Sequence, residues 1–464
     1  MSDFSLIESE IMKRMMSRSM GPEITKEFIR RVDLVYKGET GKIPWAEILD
    51  LRPEDSVALG ELPLPGDAAR LLSSVAVIKL NGGLGTSMGL TQAKSIIPVH
   101  DGKNFLQIIR EQTDLMRARS SGSIPLIFMN SFNTQSDFDS EPSMQALNAD
   151  LPSSFLQNMV PRIYESDLMP VGNGSSEDHY CPPGHGDVFL ALSTSGILDK
   201  LLAQGRRIAF ILNGDNLGAT LDERILGFFE EDKLEFAMEI TPKSPADLKG
   251  GVLFRRRAHR NISLLETAQV EPDHLKDFED TKRFPFFSIN NLYVHLETLR
   301  DRLRAGTLKL SLIVNPKDWQ GKKILQLEAA MGSACENFEN MKVIQVDRDR
   351  FAPVKNCSDL LVRRSDACVL RESDRALVLA PQRNHAEPVV KLDDHYKKLA
   401  DFDRLIPTLP SLIGAKSLTV TGPVVFDVPV RIEGNVKIEN RSGNPALLSK
   451  IGRSSLQDEE VAVG

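Results

Sequence analysis

The sequence predicts an α/β protein: a mostly parallel sheet covered by helices on both faces, with a helical segment before it and a small β unit after it. Three observations predict this. Short apolar runs bounded by turn residues occur at Val75–Leu80, Pro125–Met129 and Ile208–Leu212, each with the length of a buried strand. Helix-length patterns such as Asn104 to Met116 lie between them, and strands alternating with helices build parallel sheets. Beyond about Leu405 the texture changes to alternating β-branched residues with regularly spaced Gly and Pro.

From the N-terminus, Phe4, Ile7, Ile11 and Met15, then Ile24, Phe28 and Val32, recur at helical spacing, so helices open the chain up to about Tyr36. Leu62-Pro-Leu-Pro-Gly66 breaks the periodicity and reads as a connector. The strand–helix alternation follows. In Ser417 to Glu439, apolar positions recur at steps of roughly six residues, the spacing of short β-helix coils. The polar, acidic end, Gln457-Asp-Glu-Glu460, is expected to be disordered. The resulting boundaries are 1–74 for the helical segment, 75–400 for the α/β body and 401–464 for the β unit with its tail.

A chain of 464 residues buries a large core without staples. Its 57 Lys+Arg against 64 Asp+Glu give a net charge of -7, which argues against a surface built for nucleic acid. Any anionic ligand must meet a local cluster of cations and amides. The cysteines, Cys181, Cys335, Cys357 and Cys368, form no Cys-x-x-Cys pair and read as reduced thiols. The N-terminus lacks the basic patch and apolar run of a secretory signal, and no apolar stretch approaches the roughly twenty residues that span a bilayer. A soluble, cytoplasmic protein is expected.

Ligands of open α/β sheets bind at the carboxyl ends of the strands, which directs attention to Asn81-Gly-Gly-Leu-Gly-Thr-Ser-Met-Gly89, directly after Leu80. Glycines let successive N–H groups form an anion-holding nest. The spacing is not that of a dinucleotide fingerprint, because Met88 stands where the third glycine belongs. Nor is it a P-loop, because Ala93 precedes Lys94-Ser95. A tight turn packed on a helix remains an alternative, but Lys94 offers a compact cation to a phosphate within reach.

Leu80 to Leu90 followed by Lys94-Ser95 resembles the signature of UTP–glucose-1-phosphate uridylyltransferases, the eukaryotic-type UDP-glucose pyrophosphorylases. The resemblance continues in the family's order through Phe155-Leu-Gln157, Pro161-Arg-Ile-Tyr164, Pro182-Pro-Gly-His-Gly-Asp187 and Asn213-Gly-Asp-Asn-Leu-Gly218. It extends through Leu264 to Val270, Asn290-Asn-Leu292, Ile324-Leu-Gln-Leu-Glu328 and Phe351-Ala-Pro-Val-Lys355. It implies a Rossmann-like mixed, mostly parallel sheet of the nucleotidyltransferase type A kind, with a left-handed C-terminal β-helix. It further implies reversible uridylyl transfer from UTP to glucose 1-phosphate, giving UDP-glucose and pyrophosphate, in carbohydrate metabolism.

By that resemblance Leu80, Asn81, Gly82 and Gly83 bind UTP through backbone groups, while Gln157 and Gly184 hold the base and ribose. Lys94 and Lys355 are the catalytic cations. His185, Asn213, Glu266, Asn290 and Asn291 contact the sugar phosphate, and Asp215 carries Mg2+. The residue chemistry agrees: an amide offers donor and acceptor to a pyrimidine edge, and Mg2+ needs only one or two protein carboxylates beside phosphate oxygens. Taken singly, each position also fits a plainer role: Gln157 a capping amide, His185 a structural hydrogen-bonder, Asp215 an Asx-turn residue, Lys355 an exposed lysine. Two departures stand out. Gly214 replaces a larger residue of many family members, which would loosen its loop, and Ser288-Ile289 replace the family's Asn-Thr, which bears on sugar selectivity.

If the resemblance holds, an oxygen of glucose 1-phosphate attacks the α-phosphorus of UTP in line, and catalysis is chiefly alignment and charge neutralisation. Alternatives are a pyrophosphorylase for another sugar 1-phosphate or for several, and a nucleotide-sugar binding protein without turnover. An NAD-dependent oxidoreductase is disfavoured by the glycine spacing. The family's C-terminal domain can mediate self-association, but here it is short, and the oligomeric state is open.

Overall fold

The strand-forming runs assemble into one eight-stranded sheet in the computed structural model, which describes residues 3–244, 247–383 and 386–464. Its members are β1 (Ser56–Ala58), β2 (Val75–Asn81), β3 (Leu126–Asn130), β4 (Ser154–Leu156), β5 (Ile208–Asn213), β6 (Phe236–Pro242), β7 (Phe286–His295) and β8 (Met341–Gln345). They lie in the order β1-β8-β6-β7-β5-β2-β3-β4. Only β7 runs against its neighbours, β5 and β6, and every other pair is parallel. The expected mixed, mostly parallel sheet is therefore present.

All residues of β2 and β3 are buried, which is why these runs, apart from Lys79 and the terminal Asn81 and Asn130, are apolar instead of alternating. Their side chains still divide by face. Val75 and Val77 join a cluster with the helix Phe105–Arg119, while Ala76 and Ile78 join another with the helices Val188–Thr194, Ile197–Ala203 and Leu296–Ala305. Asn104 caps the first of these helices, accepting from Gln107 N at 2.9 Å while Gln107 Oε1 accepts from Asn104 N at 3.0 Å.

The opening helices are Phe4–Met16 and Pro22–Tyr36, and they bury the predicted stripe of Ile7, Ile11, Met15, Ile24, Phe28 and Val32. That stripe packs on Val160, Ile163, Leu325 and Leu327, so the N-terminal segment leans on strands that border the site described below. Among the described residues no helix is long and apolar enough to cross a membrane.

The C-terminal unit holds four parallel strands, β9 (Val389–Leu392), β10 (Ser411–Thr421), β11 (Arg431–Glu439) and β12 (Ser455–Ala462), each paired with the next in sequence. A second, shorter parallel pair joins Val424–Val425 to Ala446–Leu447. The acidic end corrects the sequence expectation: Gln457 to Glu460 lies inside β12. Glu459 pairs with Arg453 at 2.8 Å and Glu460 with Lys437 at 3.4 Å, while Leu456 is buried. A strand with one solvent face and little beyond a single apolar anchor looks polar in sequence, and only pairing with β11 reveals it.

Candidate active site

The site grows from the carboxyl edge of the sheet. Register places Leu80 of β2 beside Asn213 of β5 and Met129 of β3, and Asn81 beside Asn130. Asn81 Nδ2 donates to Asn130 Oδ1 at 2.8 Å, and Thr134 Oγ1 donates to the Asn81 carbonyl at 2.7 Å. The chain leaves β2 through Gly82, whose carbonyl accepts from Ser131 Oγ at 3.0 Å. These bonds fix the start of the glycine loop on rigid neighbours.

Gly214 does not loosen its turn. Its N–H donates to the Leu80 carbonyl at 2.8 Å, and a Cβ there would stand 2.7 Å from that oxygen, so glycine is what allows the two loops to touch. Gly184 is likewise obligatory: its φ is +85°, and a Cβ would meet the Ala329 carbonyl at 2.5 Å.

Around these loops lies a cavity of about 390 Å³. Ten predicted site residues line it: Leu80, Asn81, Gly82, Gly83, Lys94, Gln157, Gly184, His185, Asn213 and Asp215. Gln157 Nε2 donates to the Gly184 carbonyl at 2.8 Å. The next residue, Asn158, donates through its backbone N at 2.7 Å and through Nδ2 at 3.0 Å to the buried carboxyl of Asp187, whose pKa burial raises to about 6. Gln157 and the His185 loop are thus tied together. Met331 N donates to His185 Nδ1 at 3.2 Å, so the neutral ring carries its proton on Nε2, and burial lowers the imidazole pKa to about 4. At neutral pH His185 is an uncharged donor.

The charged pair of the cavity is Lys94 and Asp215. Lys94 Nζ donates to Asp215 Oδ2 at 2.6 Å and to the Val354 carbonyl at 2.9 Å. That second bond brings the segment ending at Lys355 to the rim, where Ser87 Oγ also donates to the Lys355 carbonyl at 2.9 Å. The Lys355 side chain is 58% exposed, with Nζ 3.7 Å from Asp247 Oδ1, and it does not line the cavity.

Three other predicted residues also stand outside the lining. Leu292 pairs with Ile211 in antiparallel register, so Asn290 and Asn291 sit near the same carboxyl edge as Asn213. Asn290 has φ +57°, and its buried Oδ1 has no partner among the described residues. Asn291 is fully buried, with Nδ2 donating at 2.9 Å to Glu239, which is itself paired with buried Arg350 at 2.6 Å. Glu266 follows the strand Ile262–Leu265, packs its carboxylate against Gly251, and has its pKa raised by burial.

Sequence reading assigned no role to Ser95, Met129, Gln326 and Glu328, which also line the cavity. Gln326 and Glu328 alternate along the strand Lys322–Glu328, so a two-residue period within that block was the available signal. It also passed over Lys79 of β2, whose ammonium is buried without a hydrogen-bond partner among the described residues. Burial lowers its pKa to about 7 against the pull of Asp215.

A family profile described as UTP–glucose-1-phosphate uridylyltransferase matches residues 25–433. The uridylyltransferase of Solanum tuberosum is 40% identical over 424 residues, 90% of this chain and 88% of that protein. That of Saccharomyces cerevisiae is 38% identical over 417 residues, 89% and 83% respectively. Among solved structures, the UDP-glucose pyrophosphorylase from Leishmania major superposes with a TM-score of 0.89. It has 36% identity and covers 98% of this chain and 99% of that one. The chain therefore belongs to the UTP–glucose-1-phosphate uridylyltransferase family.

Proposed function

We propose that this protein transfers a uridylyl group from UTP to glucose 1-phosphate, forming UDP-glucose and pyrophosphate reversibly. The carrying observation is the cavity itself, in which a glycine loop, a lysine–carboxylate pair, an amide and a neutral histidine meet at the carboxyl edge of the sheet. Family membership supports the same reading.

In the proposed reaction the loop amides of Gly82 and Gly83 and the ammonium of Lys94 hold the triphosphate, and Gln157 faces the pyrimidine edge. His185 donates from Nε2 to the sugar phosphate, beside Asn213, with Glu266, Asn290 and Asn291 nearer the sugar. The attacking phosphate oxygen is already ionised, so no strong base is required. It approaches the α-phosphorus in line, and pyrophosphate leaves on the opposite side while Lys94 and Lys355 neutralise charge.

No cluster of three or more His, Cys, Asp or Glu side chains suited to a metal occurs among the described residues. Asp215 nevertheless fits Mg2+, which binds through one or two carboxylates together with substrate phosphates and water. Bound there, the ion would supply positive charge to the phosphates. We further propose a cytoplasmic location, in keeping with four free, buried cysteines. The C-terminal strands are proposed to be coils of a left-handed β-helix that can serve self-association. The units are proposed to be 1–74, 75–400 and 401–464, with β1 of the first pairing with β8 of the second and β9 of the second pairing with β10 of the third.

The test is direct: purified protein, Mg2+, UTP and a panel of sugar 1-phosphates, with pyrophosphate and sugar nucleotide measured. Preference for glucose 1-phosphate is expected. Equal use of several sugars would make it a broad UDP-sugar enzyme, and no product with any of them would end the proposal.

A further inference from the structure

Arg31 lies on the second N-terminal helix, Pro22–Tyr36, far in sequence from any cavity residue, yet it is 4% exposed. One nitrogen of its guanidinium, Nη1, reaches two backbone carbonyls, Pro183 at 3.0 Å and Leu327 at 3.4 Å. Pro183 lies between the lining residues Pro182 and Gly184, and Leu327 between the lining residues Gln326 and Glu328. A single side chain therefore braces, from behind, two walls that the backbone also joins, since Ala329 N donates to the same Pro183 carbonyl at 3.0 Å.

Burying a guanidinium is costly unless it is paired and bonded, and here Glu27, one turn earlier, accepts from Arg31 Nε at 3.0 Å. Arg30 donates to the same carboxylate at 2.7 Å, which holds Glu27 in place. The planar fork can face a carboxylate and two carbonyls together, which a lysine ammonium on its flexible stem does poorly. Apolar packing of Phe28 and Val32 would seat the helix without this arrangement, so the packing alone does not account for the arginine.

The wall that Arg31 holds at Pro183 continues into Gly184, whose carbonyl receives the Gln157 amide. We infer that Arg31 is a positioning residue for the nucleotide half of the site: it braces the Pro183–Leu327 junction and, through Gly184, the aim of Gln157. The inference rests on the cavity being the UTP site. It makes the N-terminal helix part of substrate recognition.

The experiment compares wild type, Arg31→Met, Arg31→Lys and Gln157→Ala in steady-state assays with each substrate varied, alongside thermal melts. Arg31→Met, which keeps an unbranched apolar stem and loses the donors, is expected to raise the KM for UTP about tenfold, with kcat and the KM for glucose 1-phosphate within about twofold. Arg31→Lys should fall between Arg31→Met and wild type. A folded Arg31→Met with wild-type KM for UTP overturns the inference, as does an equal rise in both KM values, which is what general loosening produces. If Arg31→Met does not fold, Arg31→Lys decides, and an unchanged KM for UTP in that variant overturns it. Wild type without turnover removes the underlying function as well, whereas normal turnover that depends on Gln157 but not on Arg31 removes this inference alone.

Discussion

Lys94 and Asp215, 121 residues apart in sequence, meet at 2.6 Å in the cavity, with side chains 20% and 23% exposed. Each offsets the desolvation of the other, so removing one leaves a partly buried charge uncompensated. The Val354 carbonyl shares the same ammonium, so the pair also fixes the rim that carries Lys355.

Asp215→Asn keeps the shape and removes the charge. It should raise the Mg2+ concentration for half-maximal activity and lower kcat on the order of a hundredfold. A Mg2+ titration at fixed UTP checks this, and an unchanged half-saturation point would remove Asp215 from the metal's coordination.

Lys355→Ala should lower kcat about a hundredfold while leaving the melting temperature nearly unchanged. The Lys355 side chain is more than half exposed, and the buried Asp247 that it approaches at 3.7 Å keeps Arg348 as a closer partner at 2.7 Å, so its loss leaves no carboxylate unpaired. Wild-type turnover in the folded variant would release this lysine from the mechanism.

His185 should stay neutral far below the usual histidine range, titrating near pH 4. The unfolded chain takes up that proton near pH 6.5, so this residue's contribution to stability is complete above pH 6.5 and is lost as pH falls toward 4. Histidine-resolved NMR, with His185→Gln to assign the resonance, reads the midpoint. A value near the unfolded one would contradict the buried, uncharged donor.

Lys79→Met should stabilise the protein at pH 6 by roughly 1–3 kcal/mol, because it deletes a buried ammonium without a partner among the described residues. In the folded protein this lysine loses its proton near pH 7, against about 10.5 when unfolded, so wild-type stability recovers as pH rises between those values. Melts at about pH 6 and about pH 9.5 should show the advantage of the variant shrinking at the higher pH. A constant difference would mean that Lys79 is not charged in the way described.

Much of the fold was legible. Val75–Leu80, Pro125–Met129 and Ile208–Leu212 each mark a strand to within about a residue, because continuous burial writes continuous apolar runs. The Leu62–Gly66 connector and the start of the helix after Asn104 were legible for a local reason, since turn and cap preferences act on adjacent residues. Gln457–Glu460 was not, because an edge strand that faces solvent carries almost no apolar signal of its own. Gly214 was misread as a loosening change, since only the fold shows the Leu80 carbonyl pressed against it.

Family, sheet class and loop chemistry could be read from the chain before folding, since these reside in neighbouring residues and in the order of short motifs. Which side chains share the cavity could not: Lys94 with Asp215, Gln326 and Glu328 with the glycine loop, and Arg31 behind two walls at once come together only in three dimensions. The physical reason is range. Turn preference and periodicity act over a few residues, whereas convergence follows from sheet register and helix packing, which join segments separated by more than a hundred positions.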